Sequence, residues 1–345
     1  MSLGRPRDIL EHLLTGRDLA EPEAAALLEW LTRPELEPAL AGALLVALRL
    51  KGVTAVEVRG FAGAMRALAR KPALGSGLDA IDIVGTGGDG SGSLNLSTGA
   101  ALLTAACGLP VVKHGNRSIS SRSGSADLIE RLGFKLPLDE AAAARCFEAT
   151  GFTFLFAPYF HPAMKALAAV RGALGIRTVF NLLGPLTNPA APRFHLIGAY
   201  DAAAAELLAG TLSGMDIARA WVVHGAAGWD EVTPIGPFLA FDVMPGSIRR
   251  RELDPREFGI ARCEPADLAG GDAAANLAAL HAVFAGSDRG AHLDALTLQS
   301  GLALFVAGRA ADIPAGIGIA RAAIDSGQAR RWLERLQRFA AETQS

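Results

Sequence analysis

The sequence predicts an α/β protein in which a helical block is followed by strands and helices alternating around a largely parallel sheet. Three observations carry this reading. The chain has 345 residues, more than one hydrophobic core usually covers, so two domains are expected. Half of the residues are apolar but only 6% are aromatic, and Ala and Leu dominate, which suits helix-rich packing and not an all-β fold. The apolar period also changes along the chain. It runs at three and four before residue 70, then breaks into short β-like runs separated by helical stretches.

In the first block Ile9, Leu13 and Leu14, then Leu27, Leu28 and Leu31, then Leu44, Leu45 and Leu48 fall at helical spacing between Gly16, Pro34, Pro38 and Gly52. A block this small cannot bury every apolar face alone. The block, to which Leu44, Leu45 and Leu48 belong, is therefore expected to provide a two-fold interface. "KPALGSGLD" reads as a linker. "AIDIVG" and "LPVVKHG" read as strands, and "STGAALLTAACG" as a helix with Ser97 or Thr98 near its N-cap. "SADLIERLG" is a helix, and further strands are expected at "TFLFAP", "FHLIGAY" and "RAWVVHG". Residues 163–175 add one more helix, and helices dominate again from about residue 273.

Composition excludes several functions. The formal net charge is −2 without long single-sign runs, so no global basic field for nucleic acid exists and any anion site must be local. The longest apolar stretch, "AALLTAACGLPVV", is broken by Gly108 and Pro110 and is too short for a membrane span. Cys107, Cys146 and Cys263 lie far apart, without metal-ligand spacing. An odd count and an amino terminus without a signal core imply reduced, buried thiols in a cytoplasmic protein.

Four stretches carry chemistry. "GTGGDGSG" follows a strand and precedes a helix, so its backbone N–H groups and the helix start can converge on an anion, with Asn95, Ser97 and Thr98 as added donors. Its spacing fits neither a Walker loop nor the dinucleotide fingerprint; the loop by itself indicates phosphate or a hairpin. "VVKHGNRSISSRSGSAD" opens on the same sheet edge, where Lys113 offers a point charge and Asn116 compact donors. In "GAAGWDEVTP" the adjacent Asp230 and Glu231 read as a solvated turn when taken singly. Beside the anion loops they suit magnesium held through oxygen ligands. In "FAPYFHPAMKALAAVRGALGIRTVFNLLGPLTNP" His161 and Arg171 are ten residues apart, close to three helical turns, so they are expected on one side. Arg171 suits a carboxylate clamp, whereas His161 is equally read as a cap beside Pro162. Arg177, Asn181 and Asn188 look structural.

Together "GTGGD" with "NLST", "KHGNRSISSRSGSAD", "HPAMKALAAVRGALGIRTVFNLLGPLTNP" and the "DE" pair resemble the anthranilate phosphoribosyltransferases, over the whole chain. That resemblance implies a nucleoside phosphorylase/phosphoribosyltransferase-like architecture. A small helical domain would comprise residues 1–72 and 161–178, and a large α/β domain residues 73–160 and 179–345. A homodimer would form through the small domain. The implied reaction is the second step of tryptophan synthesis from chorismate, transferring the phosphoribosyl group of phosphoribosyl pyrophosphate (PRPP) to the amine of anthranilate. Carried over onto this sequence, Gly85, Thr86, Gly87, Gly88, Asp89, Asn95, Ser97, Thr98, Lys113 and Ser121 would bind PRPP. Gly85, His114, Asn116, Pro158, His161 and Arg171 would line the anthranilate site, with Met164 at a variable tunnel position. Ser97, Asp230 and Glu231 would hold two magnesium ions per active site. The amine proton would pass to His114 or to water. Two alternatives use the same fold. A pyrimidine nucleoside phosphorylase takes inorganic phosphate as nucleophile and needs neither Arg171 nor the acid pair. A non-catalytic nucleic-acid-binding relative would carry a basic groove and degraded phosphate motifs.

Overall fold

The computed structural model describes residues 4–75, 77–117 and 123–342. Four helices come first: α1 (Pro6–Leu14), α2 (Glu21–Leu31), α3 (Pro38–Lys51) and α4 (Ala55–Leu68). Proline stands in the first turn of α1, α2 and α3, where its missing N–H costs nothing. In α4 the Thr54 hydroxyl accepts from the Glu57 N–H and Glu57 answers through the Thr54 N–H, a reciprocal cap. Glu57 is fully buried and bound by Lys51 at 2.8 Å, which ties α4 to the end of α3.

The α/β part runs β1 (Ile81–Gly85), α5 (Leu96–Ala106), β2 (Val111–Gly115), α6 (Ser125–Arg131), α7 (Glu140–Thr150), β3 (Phe152–Phe156), α8 (Ala157–Phe160), α9 (Ala168–Leu174), α10 (Phe180–Leu183), β4 (Phe194–Gly198), α11 (Ala202–Ser213), β5 (Arg219–His224), β6 (Phe238–Met244) and β7 (Ser247–Leu253). The helices α12 (Ala273–Phe284), α13 (Ala291–Val306), α14 (Ile313–Asp325) and α15 (Gln328–Glu342) close the chain. Among the described residues one seven-stranded sheet forms, ordered β3-β2-β1-β4-β5-β6-β7. The first five strands pair in parallel, and β6 and β7 add an antiparallel hairpin. That hairpin is absent from the sequence expectations above.

Successive side chains leave the sheet on opposite faces, which divides the core in two. Leu196, Trp221 and Val223 join a cluster with α5 and α13, whereas Ile197, Ala220 and Val222 join a second one with α11 and the helical block. Strands covered on both faces read as near-continuous apolar runs, which is why β1 to β5 are legible in the sequence. Leu44, Leu45 and Leu48 lie fully buried in the second cluster, each worth about 1.5–3 kcal/mol of burial. They therefore face the protomer's own core and leave any interface to other residues of the block. Leu14 and Leu50 of the same block are 62% and 79% exposed.

Residues 163–175 are not one helix. α8 ends at Phe160, His161 is non-helical, residues 162–167 form a 3-10 turn, and α9 follows, packed against α3. His161 and Arg171 therefore share no helical face. The helix after the glycine loop begins at Leu96, so Asn95, not Ser97 or Thr98, occupies the cap position. Cys146 is buried as expected, but Cys107 and Cys263 are only partly so. No helix among the described residues is long and apolar enough to cross a membrane.

Candidate active site

β1 and β4 run in parallel and in register, and both end in glycine, Gly85 opposite Gly198. The reason is Asp230. A Cβ on Gly85 would collide with the Asp230 carboxylate, and one on Gly198 with the Asp230 carbonyl. Glycine here admits a buried acid between two strand ends. The following residues use it differently: Gly87 and Gly88 have φ of 71° and 75°, in the left-handed region, with open space around the missing side chain of Gly87.

The acid pair lies beyond β5 on a turn. Asp230 is 7% exposed, and its Oδ2 accepts the Gly87 N–H at 2.5 Å. The Asp89 carboxylate accepts the Asp230 N–H at 3.3 Å. Glu231 Oε1 accepts the Ser97 N–H at 3.1 Å, so the second acid meets the first turn of α5. Both carboxyls are pushed well above the usual carboxylate range. Burial is the main cause for each, with Asp89 adding to Asp230 and Asp230 adding to Glu231. Lys113 lies beneath them. It is 2% exposed, its ammonium donates to the Ile83 carbonyl, and burial pushes its pKa down against the fields of Asp82, Glu231 and Asp230.

Clustered acids held at raised pKa, with Ser97 and Asp89 beside them, form an oxygen-donor set suited to a hard cation. Among the described residues no three acidic, histidine or cysteine side chains make a ready metal cage. Magnesium does not require one, because it keeps waters and takes substrate phosphates beside one or two carboxylates. The residues fit that ion.

Around the loop, the Thr86 N–H donates to the Gly198 carbonyl at 2.9 Å and its hydroxyl accepts the Tyr200 N–H at 3.1 Å. Thr98 is buried in α5, and Asn95 is held by Asn276 of α12, which donates to its Oδ1 at 2.8 Å. Asn276 is a second-layer contact invisible to motif reading, since 181 residues separate the partners. Arg177, read above as structural, grips the loop: its guanidinium donates to the Gly88 carbonyl at 2.6 Å and stacks 3.8 Å from the Tyr200 ring centroid. Its own carbonyl accepts from Arg49 of α3, linking the loop to the helical block. Asn188 is structural as expected, donating to Asp82 and to the Val112 carbonyl, both at 2.8 Å.

His114, next to last in β2, has its ring 5.0 Å from that of His161. Its Nδ1 lies 3.2 Å from the Gly184 carbonyl and therefore carries the proton, leaving Nε2 buried without a partner among the described residues. Burial, then His161, pushes His114 down to about 3, and burial pushes His161 down to about 4. A ring held neutral so far into acid is a poor proton acceptor near neutral pH. Pro158 and Asn116 are exposed, and Met164 is partly buried. Arg171 places its guanidinium 5.3 Å from the Phe180 ring centroid, with burial lowering its pKa and no ion-pair partner among the described residues. Ser121 lies outside the described residues.

The comparisons with known proteins agree with this layout. Residues 7–69 match the helical bundle domain of a glycosyl transferase family, and residues 77–330 its a/b domain. The chain is 46% identical to the anthranilate phosphoribosyltransferase of Desulforudis audaxviator, covering 96% of each chain. It is 47% identical to that of Methylobacterium radiotolerans, covering 96% of this chain and 95% of the relative. Among solved structures, the anthranilate phosphoribosyltransferase of Thermus thermophilus superposes with a TM-score of 0.89 at 40% identity, covering 96% of this chain and 99% of the other. The Saccharomyces cerevisiae enzyme in complex with PRPP and Mg superposes with a TM-score of 0.87 at 26% identity, covering 98% of each. A sheet edge built on a glycine loop and a buried acid pair, and relatives this similar over their full length, place the chain in the anthranilate phosphoribosyltransferase family.

Proposed function

We infer that this sheet edge carries the family's reaction: PRPP gives up its phosphoribosyl group to the amine of anthranilate, yielding N-(5-phosphoribosyl)anthranilate and diphosphate. The observation that carries the assignment is the convergence of Gly87, Ser97, Asp230 and Glu231 at one strand edge. The N–H groups of the loop and the start of α5 receive the diphosphate. A helix terminus supplies only about 0.3–1 kcal/mol toward an anion, too little for a leaving group of this charge. Magnesium, two ions per site, supplies the remaining charge neutralisation as a Lewis acid. The solved Saccharomyces cerevisiae relatives with Mg support its use. Asp230 and Glu231 hold the ions, with Ser97 as a further ligand. Gly85, Thr86, Gly88, Asp89, Asn95, Thr98, Lys113 and Ser121 complete the PRPP site.

Anthranilate is placed between His114, Asn116, Pro158 and His161, with Arg171 facing its carboxylate. The Saccharomyces cerevisiae relative in complex with 4-fluoroanthranilate supports a ligand of this class. No side-chain nucleophile is needed. The protein aligns both reactants, and positive charge grows on the ribose as diphosphate departs. The low pKa of His114 favours solvent as acceptor of the amine proton. Residues 1–72 and 161–178 act as the small domain, and through it the chain forms a homodimer in the cytoplasm. The direct test is loss of anthranilate fluorescence when PRPP and magnesium are added. Thymidine consumption with inorganic phosphate, without anthranilate turnover, would overturn the assignment in favour of a nucleoside phosphorylase. Arg171→Ala should weaken anthranilate by about 1.5–3 kcal/mol and leave PRPP nearly unaffected.

A further inference from the structure

At the opposite edge of the sheet, the segments leading into β1, β4 and β5 enclose a cavity of about 500 Å³. Arg66 of α4 lines it with Lys71, Arg193, Asp216 and the apolar Leu74 and Ile217. The two nearest cations are held in place. Arg66 Nε donates to the Leu186 carbonyl at 2.8 Å, and the Lys71 ammonium donates to the Arg66 carbonyl. Arg66 Nη2 is nevertheless buried without a hydrogen-bond partner among the described residues. Burial pushes Arg66 down to about 10, with Asp82 and Asp216 acting against the shift without pairing. Lys71 is lowered first by burial and then by the Arg66 charge. Two cations that repel each other, one of them with an orphaned donor, are costly to hold together and are relieved by an anion between them.

We propose that this cavity is a second ligand site, for a small organic anion with a carboxylate head and an apolar body. Charge selects an anion. Arg66 and Lys71 contribute two positive charges and Asp216 one negative. Arg193 adds a third positive charge, since Asp79 lies 4.0 Å from it and is already paired with Arg309 at 2.8 Å. The lining is therefore net positive, and its apolar side chains, not its charge, favour an organic ligand over inorganic phosphate. A carboxylate presents two oxygens to the guanidinium edge, while Leu74 and Ile217 cover an apolar body, and the volume suits a metabolite-sized ligand. Its lining residues precede β1, β4 and β5, whereas the glycine loop and the acid pair follow β1 and β5, so the two sites lie at opposite strand ends.

The test is isothermal titration of benzoate, and separately of inorganic phosphate, into the wild-type chain and into Arg66→Gln, Lys71→Ala and Arg171→Ala. Benzoate binding should weaken about tenfold or more in Arg66→Gln and in Lys71→Ala, as for loss of one charge-assisted contact, and should persist in Arg171→Ala. Turnover with anthranilate should stay at the wild-type level in Lys71→Ala. If Arg66→Gln fails to fold, by circular dichroism, the exposed Lys71→Ala gives the same reading alone. Benzoate affinity that is unchanged in the cavity variants, or lost only in Arg171→Ala, overturns the site. Phosphate binding that depends on Arg66 while benzoate binding does not overturns the carboxylate class.

Discussion

Asp230 reaches across 143 residues to accept the N–H of Gly87 at 2.5 Å, so the acid pair and the glycine loop are one structural unit. If both acids serve the proposed magnesium site, they should behave as a unit in kinetics also. Asp230→Asn and Glu231→Gln are each expected to cut kcat sharply, with the double variant little worse than the poorer single. Raised magnesium should partly restore each single variant. Steady-state rates over a magnesium series decide this; additive losses without rescue would separate the two acids.

Arg177 supports the same loop from the other side. It holds the Gly88 carbonyl and stacks on Tyr200, whose N–H meets the Thr86 hydroxyl. Arg177→Ala should therefore raise the KM for PRPP about tenfold, as expected for one charge-assisted contact, with the KM for anthranilate little changed. Arg177→Lys keeps the charge but loses the planar stack, so an intermediate value is expected. Equal effects on both substrates would assign Arg177 to folding and not to the loop.

These two contacts mark the limit of the sequence. The strands β1 to β5, the loop chemistry and the acid pair were legible because each is local: an apolar run, a glycine cluster, adjacent carboxylates. Arg177 was not, since its meaning depends on Gly88, 89 residues away. The glycines at 85 and 198 were visible, but their collision with Asp230 requires the register between strands. The β6–β7 hairpin escaped because β7, "SIRRREL", is a largely exposed edge strand whose charged residues mask any alternation. The break at His161 was hidden by apolar spacing that continues through residues 162–174, although Pro162 stood there as a signal.

His195 offers a test of stability. It is fully buried on β4, neither ring nitrogen has a hydrogen-bond partner among the described residues, and burial pushes its pKa down to about 3. Below its ordinary value near 6.5 the unfolded chain binds the proton and the folded chain does not, so stability falls as pH falls. The loss is about 1.4 kcal/mol per pH unit between that value and the folded pKa. Asp82, pushed up to about 6 by burial, runs the other way. The difference between wild type and His195→Leu therefore isolates the histidine. Its melting temperature should gain on wild type steadily from pH 6.5 to 4.5, and parallel curves would refute the assignment.

A two-fold interface through the helical block must use residues other than Leu44, Leu45 and Leu48. Leu44, Leu45 and Leu48 are spent inside the protomer, so Leu44→Ala should cost about 2–5 kcal/mol of stability and leave assembly of the folded chain intact. Leu50 on α3 is 79% exposed and Leu14 on α1 is 62% exposed, and α1 packs directly against α3. These two leucines are the most exposed large apolar side chains of the helical block, so an interface through this block is expected to cover them. Leu50→Glu should move the protein from dimer to monomer while its melting temperature, measured at a concentration where both are monomeric, stays close to wild type. Sedimentation velocity at micromolar concentration reads this directly. A wild-type monomer would remove the homodimer, and a Leu50→Glu dimer would move the interface away from this face of the helical block.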